Sequence, residues 1–129
     1  MKLSHILALY LLWPAIIFVA WGELTPNPPS IMNLFWDKSL HFTAYFGLAG
    51  MATVALKARR QAIWAVLGLV VLGGLLEILQ GFTGRDPDIY DELANTLGAF
   101  TGGAAGWLLM TALSRGLSSV GRGPDAAIH

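Results

Sequence analysis

The sequence has no cysteine and little formal charge, and both absences limit what the chain can be. Without cysteine it has no disulfide framework and no thiol nucleophile. Charged residues make up 12% of the 129 residues, against roughly 25% in soluble domains, while 55% are hydrophobic. Eight basic residues balance eight acidic ones, so no bulk basic field favours binding of nucleic acid. The composition indicates a protein whose main partner is the lipid bilayer.

Four stretches are long and apolar enough to cross a bilayer as helices, which takes about 20 residues. They predict an all-α, polytopic membrane protein with four transmembrane helices at about 3–22, 40–56, 62–82 and 93–113. The first is expected to be a retained helix, because it exceeds the roughly 7–15 apolar residues of a signal peptide. Residues 1–113 are thus predicted to form one membrane domain, and residues 114–129 a flexible cytoplasmic tail.

Basic residues indicate the orientation, because the cytoplasmic flanks of membrane helices carry an excess of Lys and Arg. Six fall on one side of the predicted membrane and two on the other. The six are Lys2, Lys57, Arg59, Arg60, Arg115 and Arg122, and the two are Lys38 and Arg85. Both termini are therefore expected to be cytoplasmic, in a multi-pass protein of the cell (inner) membrane.

Polar residues gather at the outer ends of the last three predicted helices. Residues three or four apart share a helix face, which places Asp37, His41 and Tyr45 on one stripe. Ionisable groups at membrane depth are costly and tend to face the interior of the bundle, which we expect for Glu77. We predict an outward-facing polar pocket, with His41 and Glu77 as the candidate catalytic or proton-holding groups. Its predicted binding residues are Asp37, Lys38, His41, Tyr45, Glu77, Gln80, Arg85, Asp88, Asp91 and Asn95.

Small residues form a second pattern on the fourth predicted helix. Gly98, Gly102 and Gly106 recur every four residues and continue the stripe that begins with Asp91 and Asn95. Such ridges let two helix backbones approach closely in a membrane. We expect the three glycines to pack against a partner helix and to draw the two polar residues towards it.

In combination, these residues resemble the VanZ-like family of small bacterial integral membrane proteins. The matching positions are Asp37, Lys38, His41, Tyr45, Glu77, Gln80, Arg85, Asp88, Asp91, Asn95, Gly98 and Gly102. The resemblance implies a multi-helix protein of the bacterial membrane. The family is named for a member linked to low-level resistance to the glycopeptide teicoplanin, and relatives accompany cell-envelope and exopolysaccharide functions. It implies no settled reaction.

Three functions stay open at this point. The leading one is binding of an envelope lipid or glycan, with Lys38 and Arg85 contacting an anionic head group. The second is a structural clasp in an accessory subunit that docks a larger envelope enzyme through the glycine ridge. The expected protein partners are such a membrane protein or further copies of the chain in a homo-oligomer. The third is a hydrolase or transferase for a lipid-linked substrate, with Glu77 or His41 as general base. No reaction is assigned.

The same cluster contains metal-ligand residue types. Asp37, His41, Asp88 and Asp91 offer carboxylate oxygens and an imidazole. Carboxylates beside basic residues more often form ion pairs, however, and no paired-histidine motif is present. We therefore expect neither a metal nor a cofactor.

Overall fold

The computed structural model describes residues 3–26, 37–56, 58–84 and 86–120. Within these ranges the chain forms four helices and no strand, which confirms the all-α prediction. The helices are α1 (Leu3–Leu24), α2 (Asp37–Ala55), α3 (Arg59–Gln80) and α4 (Ile89–Val120). Because α4 continues past Leu113, residues 114–120 of the predicted tail are helical. The rest of that tail and Arg85 lie outside the described residues.

Three of these helices are long and apolar enough to cross a membrane. The segments are Ile6–Leu24 in α1, Arg59–Gln80 in α3 and Ile89–Leu117 in α4. Only a minority of their residues are buried, and large apolar side chains such as Trp13 and Ile78 are exposed. A surface of this kind is stable against lipid rather than water. The chain is therefore a membrane protein, as its composition indicates.

Helix α2 lies at the centre of the bundle and packs against each of the other three helices. It is not among the helices that are apolar enough to cross a membrane by composition alone, because its first turns carry Asp37, Lys38 and His41. After those turns, α2 contributes half of a buried apolar cluster, and α3 and α4 contribute the rest. The members are Tyr45, Leu48, Ala49, Val66, Leu69 and Ala99, and Leu12, Ile16 and Val19 of α1 pack against them.

Glycines set the distance between α2 and α4. A Cβ atom added at Gly98 or Gly102 would collide with backbone of α2, so the two helices touch with no side chain between them. The pairs are Gly98 with Phe42, Gly102 with Phe46 and Gly106 with Gly50. Both series advance by four residues in the same direction, so α2 and α4 run parallel. Their polar N-terminal turns consequently meet at one end of the bundle.

Candidate functional site

Polar side chains from all four helices converge at that end of the bundle. It contains the first turns of α2 and α4, the last turns of α1 and α3, and the loop that precedes α4. Seven of these side chains are buried, and Asn95 and Gln80 are almost completely so. The seven are Glu23, His41, Tyr45, Glu77, Gln80, Asp91 and Asn95. We call this set, with Asp37, Lys38, Asp88 and Glu92, the polar cluster.

Lys38 ties α2 to α4 and to the loop before it. Its Nζ atom donates to Asp88 Oδ2 at 2.5 Å and to Asp91 Oδ1 at 2.9 Å. These hydrogen bonds raise the pKa of the Lys38 ammonium above its ordinary value. The hydrogen bond from Lys38 likewise holds the pKa of the Asp88 carboxyl below its ordinary value. The Lys38 charge is thus already matched by two carboxylates.

His41 lies between a neutral acceptor and several carboxylates. Its Nδ1 atom is 3.0 Å from Asn95 Oδ1 and 3.5 Å from Glu23 Oε1. Its other ring nitrogen, Nε2, is 3.6 Å from Asp91 Oδ2. Asn95 is oriented in turn by the hydrogen bond that its Nδ2 donates to Glu92 Oε2 at 3.4 Å. Hydrogen-bond acceptors thus face both ring nitrogens of His41, so either nitrogen can donate a proton to a neighbour.

Glu23 is a member of the cluster that sequence reasoning missed. We expected it in an outer loop beyond a span ending at residue 22, but α1 continues to Leu24 and buries the Glu23 side chain. The Tyr45 hydroxyl donates to Glu23 Oε2 at 3.5 Å. The Gln80 amide donates to the Glu23 backbone oxygen at 2.9 Å. The available signal was that Glu23 is the first acidic residue of the chain and directly follows an uncharged helical run.

Glu92 is the second residue that sequence reasoning missed. It accepts hydrogen bonds from Asn95 and, at 3.1 Å, from Thr96 Oγ1, which follow three and four residues later on α4. It also lies close to α3, since a Cβ atom added at Gly73 would be 2.6 Å from Glu92 Oε2. The helical spacing from Glu92 to Asn95 and Thr96 could have indicated this role.

Glu77 has a buried carboxylate that is only partly satisfied by hydrogen bonds. Its side chain is only 7% exposed. One oxygen, Oε2, accepts a hydrogen bond from the Asp88 backbone N–H at 3.2 Å. The other, Oε1, is buried without a hydrogen-bond partner in the part of the chain that the structure describes. A buried acceptor in this state has capacity for a donor from a ligand.

Most of the predicted binding residues lie together in this cluster. Asp37 is exposed at its edge, yet its carboxylate lies within 4.8 Å of ligand atoms of His41 and Asp91. Arg85 cannot be placed, because it lies outside the described residues. Among described residues the cluster holds one ammonium group, that of Lys38, against six carboxylates. The six belong to Glu23, Asp37, Glu77, Asp88, Asp91 and Glu92. The site therefore favours cations, protons and hydrogen-bond donors.

Comparison with known proteins gives one match. The model of the VanZ/LLP1 family matches residues 3–112, from the start of α1 to well within α4. No curated protein and no solved structure matches the chain. The family match confirms the resemblance carried by the polar and glycine positions, and it extends that resemblance to α1. The chain belongs to the VanZ/LLP1 family.

Proposed function

We propose that the protein crosses the inner (cytoplasmic) membrane four times, with both termini in the cytoplasm and the polar cluster facing outward. Arg59 and Arg60 begin α3 at the end opposite the cluster, and such a basic flank is typical of the cytoplasmic side. α2 is the fourth crossing helix. Its polar residues face the other helices, while Phe42 and Phe46 are partly exposed on its outer surface.

Single cysteines test this topology cleanly, because the chain has no cysteine of its own. We expect an Asp86→Cys variant to react with a membrane-impermeant maleimide in intact spheroplasts. A Gln61→Cys variant is expected to react only after the membrane is disrupted. Both positions are exposed in the structure, so accessibility to the reagent depends on the side of the membrane. Labelling of Gln61→Cys in intact spheroplasts would contradict the orientation.

The polar cluster binds, on this proposal, the hydroxyl-rich head group of a cell-envelope lipid or glycan. The observation that carries it is Glu77 Oε1, a buried carboxylate oxygen with no hydrogen-bond donor in the described part of the chain. A head-group hydroxyl would supply that donor. Envelope ligands are favoured because the VanZ-like resemblance links the family to glycopeptide resistance and exopolysaccharide functions.

A hydroxyl-rich ligand fits the charges better than the anionic one expected from the sequence. Lys38 is already bonded to Asp88 and Asp91, so an anion would have to displace a carboxylate to reach it. The excess of carboxylates would also repel an anion. His41, with an acceptor beside each ring nitrogen, is suited to hold a proton next to the ligand.

The functional test uses variants that keep the shape of the cluster but change its chemistry. We expect His41→Gln and Asp91→Asn to abolish the teicoplanin-resistance or other envelope phenotype that the wild-type protein confers. Asp86→Asn is the matched control, because Asp86 is an exposed acid of the loop that precedes α4. Protein in the membrane is quantified for each strain. Full phenotypes in both cluster variants at normal protein levels would refute a binding role.

A structural clasp is the second candidate, and specific contacts within the chain favour it. The glycine ridge expected to dock a partner packs instead on α2. Lys38 joins α2 to the loop and to α4, and the Gln80 amide joins α3 to the backbone of α1. A pure clasp would lower the amount of folded protein when it is disrupted, while activity per folded molecule stayed constant. The functional test separates the two candidates because it is normalised to folded protein.

A further inference from the structure

A groove between α3 and α4 begins at the end of the bundle opposite the polar cluster. Its volume is about 240 Å³, and its walls include Ile63 of α3 and Phe100 of α4, both exposed on the outer surface. Arg59 and Trp107 line the end where α3 begins. Phe100 precedes Trp107 by seven residues, so the groove extends roughly 10 Å along the bundle. We propose that this α3–α4 groove binds an acyl chain of an anionic phospholipid whose phosphate contacts Arg59.

Arg59 gives one end of the groove a positive charge. Its Cζ atom lies 5.9 Å from the centroid of the Trp107 ring, a cation–π contact that holds the guanidinium at the groove. Within the described residues, α3 has no acidic side chain before Glu77, and α4 has none after Glu92. Both of those carboxylates belong to the polar cluster, so no carboxylate of these two helices reaches Arg59. A guanidinium binds phosphate oxygens through two parallel hydrogen bonds, which makes a phosphate the fitting anion.

Thr53 of α2 is the second observation that points to a ligand. It lines the groove and is only 4% exposed, and its hydroxyl has no hydrogen-bond partner in the part of the chain that the structure describes. A Cβ atom added at Gly103 would lie 3.7 Å from Thr53 Oγ1, so the hydroxyl is level with Gly103. Gly103 precedes Trp107 by four residues, which places the hydroxyl roughly 6 Å along the groove from its charged end.

The order of these groups matches the order of groups in a phospholipid. The ester carbonyls of such a lipid lie between its phosphate and its acyl chains. With the phosphate on Arg59 and one chain between Ile63 and Phe100, an ester carbonyl can accept a hydrogen bond from Thr53. A buried hydroxyl without a partner is costly, and the lipid would remove that cost.

The size and position of the groove also favour a lipid chain over a compact ligand. Its volume is below the roughly 300–1,000 Å³ of sites that enclose a drug-sized molecule. Its exposed walls face the bilayer, and basic pockets between membrane helices attract anionic head groups. The inference goes beyond the proposed function and does not depend on it, because the polar cluster lies at the other end of the bundle.

The experiment is native mass spectrometry of the full chain, purified in detergent, stripped of lipid and mixed with one lipid at a time. The lipids are phosphatidylglycerol and phosphatidylcholine with identical acyl chains. We expect one tightly retained phosphatidylglycerol per chain, bound roughly fivefold more tightly than phosphatidylcholine, because one Arg near the membrane surface favours an anionic lipid by about that factor. Equal retention of the two lipids by the wild-type protein would overturn the proposal.

The head-group contact is tested with a pair of neighbouring arginines. Arg59→Gln should lower the affinity for phosphatidylglycerol to that for phosphatidylcholine. Arg60→Gln is the matched control, because Arg60 is equally exposed at the start of α3 but does not line the groove, and it should keep the preference. Equal loss in the two variants would overturn the proposal, since the preference would then reflect overall charge.

The acyl-chain contact is tested with a pair of neighbouring alanines. Ala104→Phe should lower the retention of both lipids, because Ala104 lines the groove and the larger side chain would fill it. Ala105→Phe is the control, since Ala105 is exposed on the same helix outside the groove. Helicity by circular dichroism checks that every variant folds. Wild-type retention in Ala104→Phe would overturn the proposal, and so would a dimer that retains no lipid, because a second copy would then cover the groove.

Discussion

Replacing Gly102 with alanine is expected to lower the free energy of unfolding by roughly 1–3 kcal/mol, the usual cost of overpacking a tight interface. The added Cβ atom would collide with the backbone carbonyl of Phe46 on α2. A flexible side chain could move aside, but a helical backbone can do so only if the two helices separate. Separation would also weaken the neighbouring contacts at Gly98 and Gly106.

Unfolding in a single detergent, followed by circular dichroism against heat or added SDS, measures this loss. Gly68→Ala is the matched control, since a Cβ atom at Gly68 would meet nothing within 4 Å. It should leave stability unchanged or raise it slightly, because alanine favours a helix over glycine. Equal stability of the two variants would mean that α2 and α4 are not in backbone contact.

The helices and the glycine stripe could be predicted because each depends on local periodicity. Apolar run length indicates where helices form, and the four-residue spacing of Gly98, Gly102 and Gly106 places them on one face. Which helix covers that face is a tertiary fact that spacing cannot supply. The structure supplies it in the one-to-one register of these glycines with α2.

The membership of the polar cluster was less predictable, for two physical reasons. A helix boundary that is two residues off moves Glu23 from a loop into the bundle, since α1 ends at Leu24 rather than at residue 22. Long side chains also bond to residues on other helices and loops of the bundle. Lys38 reaches Asp88 and Asp91, which are 50 and 53 residues away in the chain, and no local pattern contains that pairing.

Glu77→Gln is expected to abolish the envelope function while leaving the protein folded. The amide oxygen of glutamine can still accept the hydrogen bond from the Asp88 N–H, so the contact that holds the loop is retained. The carboxylate is lost, and with it the oxygen that we assign to the ligand. Asp86→Asn is the control, because it makes the same carboxylate-to-amide change at an exposed position of the loop before α4.

The central claim is that the polar cluster is a binding site and not only a clasp, and one measurement tests it most directly. That measurement is the strength of the teicoplanin-resistance or envelope phenotype in cells that carry Glu77→Gln. It is divided by the amount of folded protein found in their membranes. We predict a phenotype equal to that of cells without the protein, at wild-type levels of folded Glu77→Gln. A wild-type phenotype per folded molecule would contradict a binding role for Glu77 and favour the clasp.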